Sequence, residues 1–371
     1  MPNTGGAAGA GNRTGGATGT GGGSTGGAAT GGTSATGGAP ANCGSAAGTS
    51  TRPQLTTSEA GNYTILKYFG QPDSWNPTAG AGTASSFTPN FTVAGDGSGT
   101  HKTVQAAINA ASGGSRVYIL VKPGRYPESV KASGSTPITL YGADTDASKV
   151  VIVDSKSQAT AGGLTQSATF TVTASNFQFV NLMLSNEYPP ATGTQQALAL
   201  YTTGDKIVLQ NVRLHGFQDT LYVDTPSATA VARVYIKNSY IEGDTDFIFG
   251  RATLVIDGSN LNYLSSRKGT GSGVYLAPST AAGNSYGFLI IGCTLTSDAG
   301  APSNKISLGR SWDQGGVSPT PNGQAVVRES MLGGHISKTA PWAAAASSGR
   351  AYSASGNRFN EYCNSGPGAA P

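Results

Sequence analysis

Charge is scarce in this 371-residue chain: Lys, Arg, Asp and Glu together make up 11% of it, and the net charge is +4. No run of Lys or Arg occurs, so the basic stripe that a nucleic-acid partner requires is missing. No apolar stretch reaches the roughly 20 residues of a membrane span. Histidine is limited to His101, His215 and His335, scattered and without an evident serine partner, which removes a serine–histidine nucleophile from consideration. Cysteine is equally rare. Cys43, Cys293 and Cys363 show no metal-ligand spacing, and an odd number permits at most one intramolecular bridge. Incidental or buried thiols and a single structural disulfide are both open. The mild positive charge is compatible with a polyanionic partner without identifying one.

The first 51 residues are almost entirely Gly, Ala, Thr and Ser, and Arg13 is their only charged residue. Such a segment cannot bury enough apolar surface to offset its ordering entropy, so residues 1–51 are expected to be a disordered linker or stalk. Its composition points to a secreted or cell-surface protein, although no basic-then-apolar signal segment follows Met1. Residues 52–371 are long enough to carry a sizeable core and form the expected folded domain.

Within that domain, Thr103 to Ala111 reads as one helix, with apolar residues at positions 104, 107, 108 and 111. Almost everything after it reads as short strands punctuated by glycine, beginning with Val117–Val121, Ile138–Gly142 and Val150–Val153. A repeat follows in which an apolar anchor precedes a second aliphatic by five residues: Phe179/Leu184, Leu209/Leu214, Ile236/Ile241, Ile256/Leu261, Ile290/Leu295 and Val327/Leu332. Asn181, Asn211 and Asn238 stand two residues after their anchors. Successive anchors are 30, 27, 20, 34 and 37 residues apart. Strand-like self-similarity at that period predicts an all-β solenoid, a parallel β-helix, with the helix around Ala107 capping its open N-terminal edge. A β-sandwich is the competing arrangement, and it would favour spacings of about 8–12 residues.

One phrase occurs twice. Leu214-His215-Gly216-Phe217-Gln218-Asp219-Thr220-Leu221-Tyr222 aligns with Ile241-Glu242-Gly243-Asp244-Thr245-Asp246-Phe247-Ile248-Phe249. Asp219 and Asp246 each lie ten residues after an anchor, so stacked coils would place them on neighbouring rungs roughly 5 Å apart. Two carboxylates that close repel, which favours one ionised as nucleophile or base and one protonated as acid. An isolated aspartate would more simply end a turn. Gln196 and Gln218 flank this region, and amide donors aimed at one point can hold an oxyanion. Arg310 and Trp312 stand two apart and therefore share a strand face, where a guanidinium can orient a carboxylate and an indole can support a sugar ring.

Gln196-Ala197-Leu198-Ala199-Leu200, Gly216-Phe217-Gln218-Asp219-Thr220-Leu221, Asp246-Phe247-Ile248-Phe249-Gly250 and Leu308-Gly309-Arg310-Ser311-Trp312 resemble, in order, the four signature blocks of the pectinesterases, with a bacterial-type pre-domain run at Arg52-Pro53-Gln54-Leu55. The resemblance covers all but the stalk. It implies a right-handed parallel β-helix that removes methyl esters from galacturonate units, without a cofactor or metal. Asp246 would attack the ester carbonyl, Gln196 and Gln218 would hold the oxyanion, and Asp219 would protonate departing methanol and then activate water. Arg310 would keep Asp246 ionised. Trp312, Phe217, Thr245, Phe247, Phe249 and Thr169 would contact substrate. The implied partner is methyl-esterified pectin or oligogalacturonides, bound by a monomer that has no nucleic-acid partner and no membrane span.

The chain departs from that pattern at Ser311, where the family usually has proline, and at Phe217, where tyrosine is common. Ser311 is expected to loosen the turn at Arg310. The stretch from Val223 to Ala232 is long and is expected to flank the cleft. A polygalacturonase would want a further Asp/His cluster and a pectate lyase a calcium-binding acidic cluster, and neither is evident. A non-catalytic carbohydrate-binding solenoid explains Trp312 but not two aspartates and two glutamines.

Overall fold

Parallel strands stacked coil upon coil make up the chain in a computed structural model. The structure describes residues 43, 47–189, 195–267, 272–314 and 321–370. They belong to one unit, Gly37–Pro371. Most of the expected stalk, residues 1–51, lies outside the described residues.

Each coil contributes strands to three faces. The first face runs from Phe91–Val93 through Val117–Val121 and Ile138–Gly142 to Arg358–Tyr362, and every neighbouring pair in it is parallel. The second begins with Gly124–Pro127 and Val150–Asp154 and continues through Tyr240–Gly243 and Asn260–Tyr263. The third carries Leu200–Thr202, Leu221–Val223, Thr245–Gly250, Val274–Pro278 and Ser307–Trp312. This is a right-handed parallel β-helix, the hand that crossovers between parallel strands adopt. It excludes the sandwich.

The anchors stack as their spacing requires. Phe179 pairs with Leu209, Leu209 with Ile236, Ile236 with Ile256, Ile256 with Ile290 and Ile290 with Val327. The second aliphatics form a parallel column from Leu184 through Leu214, Ile241, Leu261 and Leu295 to Leu332. Both columns point into the coil and are buried. Each such side chain stabilises the fold by about 1.5–3 kcal/mol relative to exposure. Between the columns the chain turns through a left-handed residue in each coil from Phe179 onward: Asn181, Asn211, Asn238, Gly258, Gly292, Glu329 and Cys363 all have φ between 49° and 62°. Asn and Gly tolerate that region best, which is why they recur after the anchors. The asparagines also form a ladder, with Asn211 Nδ2 donating to Asn181 Oδ1 at 2.8 Å.

Both ends of the coil are closed. Val104–Ala110 forms the expected helix and packs Val104, Ala107 and Ile108 against the first coil. Its first turn is fixed by the Glu128 carboxylate, which accepts from the Val104 and Gln105 amides at 2.8 and 3.0 Å. At the other end Leu55 N donates to Glu361 O at 2.8 Å and Glu361 N to Pro53 O at 3.1 Å, covering the edge of the last strand. Beneath that contact Arg52 and Glu361 make a buried bidentate pair. The ordered contacts start upstream of Arg52, because Cys43 is disulfide-bonded to Cys363 and Thr49 exchanges backbone bonds with Arg52. Cys293 is a buried free thiol whose pKa burial pushes up to about 12. Both options left by the cysteine count are therefore present, one structural disulfide and one buried thiol.

Candidate active site

The third face builds the site. Gln196, Gln218 and Thr245 are consecutive partners across three parallel rungs. Leu221 pairs with Ile248 and Tyr222 with Phe249 at the same offset, so Asp219 lies beside Asp246 on the next rung. Neighbouring strands are about 4.8 Å apart, so the backbones at the two aspartates are separated by about that much. Both aspartates sit in the left-handed region, with φ of 68° and 47°. Strain of that kind, typically about 1–3 kcal/mol for a residue, is concentrated at functional sites. A β-bulge falls between Thr245 and Ile248, where the register against Val274–Pro278 shifts.

The two carboxylates have different surroundings. Asp246 receives a bidentate fork from Arg310, Nε to Oδ1 at 2.8 Å and Nη2 to Oδ2 at 2.6 Å. Arg310 responds in kind: burial alone would lower its pKa, but the hydrogen bonds and charge of Asp246 raise it. Asp219 is 3% exposed and receives one neutral donor, Gln196 Nε2 to Oδ2 at 2.6 Å. Burial first, and then the negative charges of Asp246 and Asp244, push its pKa well above the usual carboxylate range. The Gln196 bond and the Arg310 charge oppose that rise without reversing it. One member of the pair is thus set up to be a carboxylate and the other to hold a proton.

Gln218 is half-buried, and among the described residues its amide makes no side-chain hydrogen bond, which leaves its N–H groups available to a ligand oxygen. Trp312 is partly exposed and stands over Phe249 and Tyr222, with ring centroids 5.5 and 5.9 Å away. Phe249 and Tyr222 stack at 4.3 Å with planes 11° apart. Together the three rings make an aromatic cluster beside the carboxylates, in which Phe249 and Tyr222 are buried, 3% and 5% exposed, and back the partly exposed Trp312. Tyr222 belongs to it although the sequence reading did not select it; its alignment with Phe249 in the duplicated phrase was the available signal. Phe217 is half-buried beneath the Arg267 guanidinium, 5.4 Å from its ring centroid.

Two expected contact residues lie elsewhere. Phe247 is fully buried inside the coil against Tyr275, because the bulge turns both Phe247 and Ile248 inward. Thr169 is likewise fully buried, its hydroxyl donating to Ser185 O at 2.9 Å. Thr245 is nearly buried, and its Oγ1 has no hydrogen-bond partner among the described residues. Ser311 does not loosen the Arg310 turn. Its hydroxyl donates to Asp313 Oδ1 at 2.9 Å and accepts from Gly323 N at 3.1 Å. Asp313 is held in turn by two bonds from Arg350. The stretch after Val223 begins at this cluster, where Tyr222 OH donates to Asp224 at 2.6 Å. Among the described residues no group of three His, Cys, Asp or Glu side chains is arranged to hold a metal ion.

The family model for pectinesterases matches residues 90–371. A pectinesterase of Ralstonia solanacearum is 43% identical, over 88% of this chain and 93% of its own length. The solved pectin methylesterase of the rice weevil superposes with a TM-score of 0.77 at 33% identity, over 88% of this chain and all of that one. Escherichia coli YbhC, for which acyl-CoA thioester hydrolysis has been suggested, superposes with a TM-score of 0.80 at 29% identity, over 88% of this chain and 97% of its own. A family match across three quarters of the sequence, with a relative that similar over most of both chains, carries the assignment: this chain belongs to the pectinesterase family.

Proposed function

We propose that this enzyme hydrolyses the methyl esters of galacturonate units in pectin, releasing methanol through an acyl-enzyme on Asp246. The observation that carries the reading is the in-register aspartate pair, one carboxylate forked by Arg310 and the other buried without a cation of its own. Arg310 orients Asp246 so that one carboxylate oxygen attacks the ester carbonyl carbon. The negative charge that develops on the carbonyl oxygen is taken up by the amides of Gln218 and Gln196. Protonated Asp219 gives its proton to the departing methoxide, and methanol leaves with the ester C–O bond broken. Asp219, now a carboxylate, takes a proton from water as the hydroxide attacks the acyl carbon. Collapse of this second intermediate frees Asp246 and the galacturonate acid, and Asp219 is again protonated.

Trp312, backed by the buried rings of Phe249 and Tyr222, supports the sugar rings, and Phe217 lines the other side. One chain supplies every group named, so a monomer suffices. Pectin lies outside the cell that degrades it, so the reading also implies export. No helix among the described residues is long and apolar enough to cross a membrane.

Methanol release from methyl-esterified pectin tests the reaction, with Asp246→Asn as the decisive variant. The wild-type chain should release methanol and acidify an unbuffered solution. Asp246→Asn should lose at least about 10⁴-fold while its circular dichroism is unchanged, a loss on the scale of disabling a nucleophilic triad. Retained turnover in that variant would remove Asp246 as nucleophile. Free thiol from acyl-CoA in place of methanol would support the thioester chemistry suggested for YbhC. New reducing ends or an ultraviolet-absorbing product would point to backbone cleavage.

A further inference from the structure

Behind the catalytic pair lies a second, fully enclosed ion pair that the mechanism does not use. Asp244 is completely buried and receives two bonds from Arg267, Nε to Oδ2 at 2.6 Å and Nη2 to Oδ1 at 2.8 Å. Neither side chain reaches solvent to any useful extent, so neither can touch substrate in this arrangement. We infer that the Asp244–Arg267 pair is a positioning unit that fixes the relative places of Gln196, Gln218 and Asp246.

The geometry ties this one pair to three rungs. Arg267 Nη1 donates to the Gln195 carbonyl at 3.4 Å, one residue before Gln196. The guanidinium lies over the ring of Phe217, and Asp244 N donates to Phe217 O at 2.9 Å, one residue before Gln218. Asp244 itself stands two residues before Asp246 and accepts on its carbonyl from Val274 N at 3.1 Å. The residues one before each amide donor, and the residue two before the nucleophile, are therefore tied together by this single ion pair. A guanidinium can do this because it makes parallel bonds to a carboxylate while stacking on a ring; an ammonium cannot. Asp244 also acts at a distance, since its charge contributes to the raised pKa of Asp219. The other groups that set that pKa are Asp246 on the neighbouring rung, Arg310 from Ser307–Trp312 and the Gln196 amide.

The inference rests on the esterase roles proposed for Gln196, Gln218, Asp219 and Asp246, and two variants separate it from that reading. Arg267→Lys keeps both charges but loses the fork and the stack. It should lower kcat about tenfold to a hundredfold, the cost of a misplacement of up to about 1 Å, with KM within about twofold. Its alkaline limb, where Asp219 loses the acid proton, should stay in place. Asp244→Asn should lower kcat similarly and also move the alkaline limb to lower pH, because a negative charge near Asp219 has gone. A wild-type kcat in Arg267→Lys, or a change confined to KM, overturns the inference. So does an unmoved alkaline limb in Asp244→Asn. Should Asp244→Asn fail to fold, Arg267→Lys still decides, because the buried pair stays neutral overall. Absence of methanol from the wild type, or retained turnover in Asp246→Asn, would instead strike the underlying esterase reading.

Discussion

Replacing Asp219 with asparagine should make the protein more stable while removing its acid. The reasoning starts from the surroundings of that carboxyl: buried, beside Asp246, and bonded to Gln196 Nε2 at 2.6 Å. Its folded-state pKa is raised above the unfolded value of 3.8. In the window between those two values the native state binds a proton that the unfolded chain does not. Stability therefore falls as pH rises through the window and is regained as pH drops toward 3.8. The size follows from Coulomb's law, since two charges about 5 Å apart at an effective dielectric of about 20 repel by about 3 kcal/mol. Arg310 and Gln196 offset part of that cost, leaving an expected gain of about 1–3 kcal/mol for Asp219→Asn at pH 7, because asparagine is neutral, of the same shape, and still accepts from Gln196. At about 2 °C per kcal/mol for a domain of this size, the melting temperature should rise by about 2–6 °C. At pH 4 the gain should shrink to about 0.6 kcal/mol, because the unfolded carboxyl is then only partly ionised. Thermal melts followed by circular dichroism at pH 7 and pH 4 make the comparison, with methanol release measured in parallel. A variant no more stable than wild type at pH 7, or one with the same gain at both pH values, would refute the argument that Asp219 carries a pH-dependent burden.

Gly243→Ala should disturb the site from below, because its Cβ would lie 2.2 Å from Phe247 Cβ and 2.5 Å from Phe217 O. Overpacking of that kind costs about 1–3 kcal/mol, so a lower melting temperature should accompany a lower kcat; a wild-type melt would show that the turn has slack. At Asn211, whose φ is 51° and whose amide donates to Asn181 Oδ1 and to the Thr145 carbonyl, alanine should cost about 3–4 kcal/mol by adding left-handed strain to two lost hydrogen bonds. Glycine at the same position loses only the two bonds and should cost about 2 kcal/mol. Urea midpoints rank the two, and alanine at or above glycine would sink the turn assignment. Trp312→Ala should raise KM for pectin more than it lowers kcat, since the indole forms a sugar-facing wall rather than touching the reacting atoms; steady-state kinetics separates the two, and an unchanged KM would take the wall out of the subsite.

What the sequence revealed, and what it hid, divides along a physical line. Features set by the rung period were legible. A side chain's place in a β-helix depends on its distance from an inward-pointing anchor, so counting five residues gave the second interior column and counting ten gave both aspartates. The left-handed asparagines could be seen for the same reason, as one turn repeated at one phase. Features set by a local break in the period were not. By strict alternation Phe247 and Phe249 share a face, but the bulge beside Asp246 consumes one step, so Phe247 and Ile248 both turn inward and Phe249 alone joins Tyr222 and Trp312. That bulge leaves no residue signature, and it occurs where the chain must hold a nucleophile in a strained conformation. Contacts made by irregular connections were hidden too: Cys43 reaches Cys363 across 320 residues, and Arg267 reaches Asp244 from a segment outside any strand. Ser311 completes the pattern. Its loss of a proline's rigidity could be read from the chain, whereas the two hydrogen bonds that replace that rigidity depend on Asp313 and Gly323 folding back onto it. The scaffold that brings the carboxylates together is thus written in the repeat, while the elements that tune them lie in the places where the repeat is interrupted.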